Sequence, residues 1–459
     1  TLWHTLSLHD ALPISGEPDS LGSQLGGPYL AFAQSRSGPL DWGDGSYWND
    51  RRLNLDLTVL GKFADVSFAA QAYLIDQDQN EYFYSVSDPD QLALKRKSSP
   101  EKNNTGWKAD FSNTAGAQNR HTVEYGLGGH YLGYGGITVE QVDPAYFSRM
   151  PSDSPSKDDP VTMTHHLYIQ DSWQAWENTE LQGGLRFDNY RADGPETAAV
   201  TVEETQTSPR ISCVFSPWDG ASAAVRLGKS YRFPTNPEYY WWYSGYQPAD
   251  RKDLTSEKAD QYELEINQEL AGTFNLLVRS YYYEVHDYIR TIFGYKPSRV
   301  IYNIDKVDFS GLEIEAGYRF SPRAGVFLNL THQRTKKHGD ILDSSSALTD
   351  DLPELPENKA NIRFSYGRDR GLKGEIVIGW TDERKVVRGK PAIDGGSYLE
   401  TLDSYCDMNA RFSYPLYEKG NTLVRFEASL DNMLDQDIVE EYGYPMPGAT
   451  AMAGLRVDF

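Results

Sequence analysis

Period-two alternation of apolar and polar residues, kept up in run after run, is the feature that most restricts what this chain can fold into. In residues 422–431, Val424, Phe426, Ala428 and Leu430 fall on one face of an extended strand, while Arg425, Glu427, Ser429 and Asp431 fall on the other. Successive side chains of a strand point to opposite faces, so such a run places one face against apolar surroundings and the other against polar ones. The split recurs with Leu53, Leu55, Leu57 and Val59 against Arg52, Asn54, Asp56 and Thr58, and with Leu312, Ile314, Ala316 and Tyr318 against Glu313, Glu315 and Arg319. It also closes the chain, in Ala451, Ala453, Leu455 and Val457. Many runs exceed the roughly five to six residues usual in soluble strands and reach the roughly nine to eleven that a tilted strand needs to cross a bilayer.

The pattern predicts about 18 strands, at 27–37, 46–60, 62–76, 104–116, 119–132, 162–176, 179–192, 208–217, 220–230, 258–270, 272–286, 307–320, 323–336, 359–367, 372–382, 404–414, 421–432 and 449–459. Their connections alternate in length. Tight links such as Glu177 to Asn178, Trp218 to Asp219, Ser321 to Pro322 and Arg368 to Gly371 take turns with long ones at 77–103, 135–161, 193–207, 231–257, 287–306, 337–358, 383–403 and 433–448. Short turns on one side and long loops on the other describe an antiparallel meander through a membrane. The fold class predicted is therefore all-β, a transmembrane antiparallel barrel. A soluble propeller would place four strands in each interval, whereas each interval here holds one long hairpin.

Composition agrees. No run of about 18 uncharged apolar residues exists, which excludes helical spans, but a barrel shows only alternate residues to lipid. The 31 Tyr, 18 Phe and 10 Trp suit the aromatic girdles at the two membrane interfaces. A formal charge of −22 repels phosphate backbones and excludes general nucleic-acid binding. Two cysteines, Cys213 and Cys406, are too few for a disulfide framework or a cysteine-rich metal site and read as packing residues. The chain starts at Thr1 without a signal peptide and reads as N-terminally truncated. Residues 1–15 do not continue the pattern and read as an adapter-derived segment, leaving 16–459 as one barrel domain.

The C-terminal stretch LDNMLDQDIVEEYGYPMPGATAMAGLRVDF resembles the ending of TonB-dependent outer-membrane receptors, through Asn432, Met433, Leu434, Asp435, Ile438, Gly443, Pro445, Pro447, Gly448 and the terminal Phe459. Met433, Leu434 and Ile438 depart mildly from that family's pattern. Gln170, Asp171, Trp173, Gly184, Arg186 and Asp188 resemble its paired strands, and SPRISCVFSPWDGASAAVRLGKSYRFP, SEKADQYELEI, YNIDKVDFSGLEIE and LPELPENKANIRFSY follow in its usual order. The resemblance implies the last 18 or so of an expected 22 strands around a lumen that a plug would fill. The plug, the energy-coupling box and about four strands would be missing from this sequence.

The resemblance further implies a monomeric receptor in a Gram-negative outer membrane, without catalytic residues or cofactor. It would bind a scarce large solute such as a ferric siderophore, haem, cobalamin or carbohydrate and import it with energy from the TonB complex. Phe459 would be the signal read by the barrel-assembly machinery, and membrane lipid and lipopolysaccharide would surround the wall. The alternative is a passive porin-like channel. The candidate ligand surface is the loop 231–257, where Tyr239, Tyr240, Trp241, Trp242, Tyr243 and Tyr246 offer flat faces for stacking and Arg232 offers a charge for an anion. The competing readings are an upper girdle for the aromatics and an architectural role for Arg232 with Pro234. His165 and His166 must face opposite ways in a strand and cannot form one metal site. The acidic groups Asp158 and Asp159, Asp340 and Asp343, and Asp350, Asp351 and Glu354 read either as hydrated loop surface or as oxygen ligands for divalent ions.

Overall fold

A strand that alternates in lipid cannot leave its backbone donors and acceptors unpaired, so each run has to find a neighbour. In the computed structural model, which describes residues 47–84, 92–133, 137–141, 161–193, 201–235, 238, 254–293, 299–339, 349–367, 371–389, 397–420, 422–441 and 444–458, they do so in a single 18-stranded antiparallel sheet curved into a barrel wall. In chain order its strands are β1 (Tyr47–Phe63), β2 (Val66–Tyr84), β3 (Leu92–Ala115), β4 (His121–Gly133), β5 (Ile137–Gln141), β6 (Val161–Trp176), β7 (Thr179–Asp193), β8 (Thr201–Phe215), β9 (Ala221–Arg232), β10 (Glu257–Leu270), β11 (Phe274–Phe293), β12 (Arg299–Ser321), β13 (Ala324–His338), β14 (Asn358–Gly367) and β15 (Lys373–Thr381). A separate hairpin, β16 (Arg384–Gly389) with β17 (Ser397–Leu402), precedes wall strands β18 (Tyr405–Lys419) and β19 (Thr422–Asp431). The short pair β20 (Val439–Glu441) and β21 (Tyr444–Pro445) then leads into β22 (Thr450–Asp458).

The meander is local throughout. Strand β3 pairs with β4 along Thr105–Ala115 and with β5 along Leu94–Ser98, so β4 and β5 share one place in the wall. The sheet's 18 strands thus fill 17 places. Each coincides with a predicted strand, and the remaining predicted one, 27–37, lies outside the described residues, as do segment 1–15 and Phe459.

Several predicted loops are shorter than expected because the strands run on past the apolar region. β2 continues to Tyr84 and β3 starts at Leu92 inside the expected loop 77–103, β8 starts at Thr201, and β11 and β12 reach Phe293 and Arg299. Beyond the lipid both faces meet water, so alternation stops being required while the ladder of backbone hydrogen bonds continues. Irregular register at Ile75, Gln77 and Gln79 occurs in this extended part.

The two faces are as different as the alternation demands. Leu55 and Leu57 on β1, Leu264 and Ile266 on β10, and Leu455 on β22 stand exposed on the outer face. The inner face carries Asp56, which accepts a hydrogen bond from Gln71 at 2.6 Å, and a row of charged groups on β9 to β12. The turns at the other end are tight. Ala64, between β1 and β2, has φ 51°, and Gly220, before β9, has φ 80° with Glu269 O close enough that a Cβ would collide.

The C-terminal motif has a structural explanation. Asn432, at the end of β19, is buried with φ 47°. Its amide oxygen accepts the Gln436 N–H at 3.0 Å, and its amide nitrogen donates to Gln436 O at 2.9 Å and Pro447 O at 3.2 Å. Asp435, with φ 48°, accepts the Ala449 N–H at 2.9 Å and packs where Gly448 has no side chain. Asn tolerates this backbone region and supplies both donor and acceptor, so the motif steers the chain back into β22. Asn432→Ala is expected to destabilise the folded barrel by about 2–4 kcal/mol, from buried partners left unpaired. Urea unfolding in detergent, followed by heat-modifiable migration, measures this.

Candidate functional site

The long-loop end of β7 to β12 holds Arg232, the one residue of the predicted ligand surface that lies among the described residues. Arg232 ends β9 directly across from Glu257, which starts β10. Arg232 Nη2 donates to Glu257 Oε1 at 2.8 Å, and Nη1 donates to both oxygens of Glu238, at 3.1 and 2.9 Å. Glu257 is 3% exposed and also accepts the Ile289 N–H at 2.8 Å, so one carboxylate ties β9, β10 and β11 together. Burial works against the Arg232 charge, but Glu257 and Glu238 outweigh it and hold its pKa above the ordinary arginine value. The guanidinium is engaged by two carboxylates.

Both stems of the aromatic loop are fixed around this pair. On the leading side, the Tyr190 hydroxyl donates to Pro234 O at 2.7 Å, and its ring stacks on Phe233 with centroids 4.5 Å apart. Ala192, Val202, Leu254 and Ile289 complete that cluster. On the returning side, Ser256 Oγ donates to Glu204 Oε2 at 2.5 Å. Asn303 exchanges two hydrogen bonds with the Thr255 backbone, at 2.9 and 3.0 Å. Tyr239, Tyr240, Trp241, Trp242, Tyr243 and Tyr246, between the stems, lie outside the described residues.

A feature missed in the sequence stands beside it. Residues 349–357 fold onto the inner face of the wall, where Leu352 and Leu355 pack on Tyr283, Val285, Ile304 and Phe309. The Leu352 N–H donates to Thr335 Oγ1 at 2.9 Å and the Lys337 N–H to Asp350 O at 2.6 Å. Two leucines spaced by three in the otherwise polar stretch DDLPELPEN were the available signal. From there the rim continues: Glu354 N–H donates to Lys385 O at 2.6 Å, Arg384 Nη2 to Val439 O at 2.8 Å, and the Tyr405 hydroxyl to Glu440 at 2.7 Å.

Deeper in the lumen, Arg226 on β9, Glu265 on β10, Arg279 on β11 and Glu313 on β12 form a ladder of ion pairs at 3.1, 2.9 and 3.1 Å. Arg186 pairs with Asp188 on β7 at 2.7 Å. His166 faces the lumen near His130, with ring centroids 6.5 Å apart, while His165 is exposed on the other face. Asp351 pairs with Lys385 at 3.5 Å. Among the described residues no three His, Cys, Asp or Glu side chains gather as a metal site. Asp158, Asp159, Asp340 and Asp343 lie outside those residues.

A family model described as TonB dependent receptor-like, beta-barrel, matches residues 7–433. The chain belongs to that family, whose members are receptors and transporters, not enzymes, and in Gram-negative bacteria are outer-membrane proteins. It is 24% identical over 262 residues to the ferrioxamine receptor of Yersinia enterocolitica, covering 55% of this chain and 33% of that receptor. It thus spans a third of the length of this relative. In fold it is similar to the copper transporter OprC, with a TM-score of 0.69 at 17% identity over 91% of this chain and 67% of the other. It is also similar to the ferripyoverdine receptor of the outer membrane of Pseudomonas aeruginosa, solved with ferripyoverdine bound, with a TM-score of 0.66 at 14% identity over 91% and 57%.

Removing one partner of a buried ion pair leaves the other charged and unsolvated, at a cost of about 3–5 kcal/mol. Arg232→Ala is therefore expected to loosen the stems 231–235 and 254–257 while β10 and β11 stay protected lower in the wall. Hydrogen–deuterium exchange resolved to these peptides reads the difference.

Proposed function

We propose that this chain is the barrel of an outer-membrane receptor that takes a ferric chelate at its long-loop rim and imports it with TonB-coupled energy. One observation carries the reading: both stems of an aromatic-rich loop are held by a buried ion pair and by hydrogen bonds to β7, β8 and β12. A rigid base lowers the ordering cost of binding a large solute. The ferric-chelate class draws support from the ferrioxamine and ferripyoverdine receptors among its relatives.

In this reading Tyr239, Tyr240, Trp241, Trp242, Tyr243 and Tyr246 are the contact surface, and Arg232 is the post that holds it in place. Large flat rings cover apolar parts of a chelate at little entropic cost. Phe459 serves assembly of the barrel, and outer-membrane lipid and lipopolysaccharide surround the outer face.

Uptake of radioactive iron as a ferric hydroxamate, in cells carrying the full-length protein, is expected to stop when the proton gradient is collapsed. Uptake that survives collapse would identify a passive channel instead. Trp241→Ala with Trp242→Ala is expected to weaken chelate binding about tenfold or more while heat-modifiable migration is retained. Unchanged affinity would place both rings in the headgroup girdle.

A further inference from the structure

Segment 349–357 and the returning stem of the aromatic loop are far apart in sequence, yet they rest on adjoining residues of β10, β11 and β12. The segment lies where it does because β14 pairs with β13 only as far as His332, opposite Asn358. Above that rung the backbone donors of β13 need other partners. The Gln333 and Lys337 N–H groups donate to Glu357 O and Asp350 O, at 2.8 and 2.6 Å. The Gln333 side-chain amide donates to Pro356 O at 2.8 Å. Laced to β13 in this way, the segment forms a strap whose two leucines turn into the wall.

Each of the three strands serves strap and stem with neighbouring residues. On β12, Tyr302 and Ile304 belong to the cluster that receives Leu352, while Asn303 between them holds both the N–H and the C=O of Thr255. On β11, Val285 is buried in the same cluster and Tyr288 packs against it, its ring 6.0 Å from that of Phe309. The next residue, Ile289, gives its N–H to Glu257 and its side chain to the cluster around Tyr190. On β10, Ala259 lies in the Leu352 cluster just past Glu257. Tyr288 feels both partners. Burial holds its hydroxyl well above the ordinary tyrosine value, Glu257 of the stem and Glu354 of the strap add to this, and Arg232 and Arg290 oppose it.

We infer that Leu352 and Leu355 are positioning residues for the loop rim: the seated strap holds Asn303 and Ile289 where they fix the returning stem, so that strap and stem open as one cooperative unit. Close-packed side chains do not shift one at a time, and local opening takes place in contiguous cooperative units. Lifting Leu352 leaves Tyr302 and Ile304 without their packing partner, and Asn303, lying between them in the chain, moves with them. The coupling stands on these contacts. Only its bearing on chelate binding rests on the proposed function.

Hydrogen–deuterium exchange of the purified full-length protein in detergent, with no ligand added, tests the coupling. Leu352→Ala is expected to speed exchange about tenfold or more in 254–257 and 287–293 as well as in 349–357, with 53–63 of β1 unchanged. Leu352→Met, which nearly keeps the volume, should restore protection in all three segments. Faster exchange confined to 349–357 would overturn the inference. Should Leu352→Ala not migrate as a folded barrel, Thr335→Val, which removes the acceptor of the Leu352 N–H, is read in the same way. In titrations with a ferric hydroxamate, Leu352→Ala combined with Arg232→Ala should lose no more affinity than the weaker-binding single variant, because contacts within one unit are not additive. Losses that multiply would overturn the inference. Absence of hydroxamate binding in the unmutated protein would count against the proposed function and leave the exchange result to decide the coupling.

Discussion

Pairing of backbone hydrogen-bonding groups in a medium that offers none is the constraint from which the rest of this structure follows. Each unpaired N–H or C=O in hydrocarbon costs several kcal/mol, so the chain can span only as helices or as a sheet that satisfies itself. This chain has alternating strands, and they form one antiparallel wall in which neighbours in sequence are neighbours in space. Nearest-neighbour pairing makes the turns at one end short. It also frees the other end, where hairpins such as β2–β3 and β11–β12 rise beyond the apolar band and can carry recognition surfaces.

At that end packing and charge take over from the ladder. The loops are joined into a rim by single well-placed contacts: Arg232 with Glu257, Tyr190 with Pro234, Leu352 in its apolar hollow, Arg384 with Val439. A buried ion pair contributes little net stability compared with apolar packing, but it is intolerant of displacement, which suits a post that sets where a loop begins. The inner face applies the same chemistry differently. Its ladder from Arg226 to Glu313 balances charges along the wall.

Strand existence and sidedness were legible residue by residue. Leu53, Leu55 and Leu57 could only face lipid once Arg52, Asn54 and Asp56 faced inward, and the predicted strands within the described residues sit where the alternation placed them. Strand ends were not legible. The residues beyond the lipid, as in QDQNEYFY of β2, carry no alternation, and their pairing is decided by the facing strand. Arg232 was visible as a charge next to an aromatic loop, but its partners, Glu238 and Glu257, are 6 and 25 residues away and meet it only when β10 lies against β9.

By itself, then, the sequence determined the all-β class, the order of the wall strands among the described residues, which face of each is wet, and which end carries long loops. These follow from a period of two and from turn spacing, both local properties. The tertiary structure alone decided which partners the described loop charges engage. It brought Leu352 into the apolar cluster with Val285 and tied Asn303 to Thr255. The physical reason is that a contact between strands depends on register and curvature across the sheet, which no single run of residues contains.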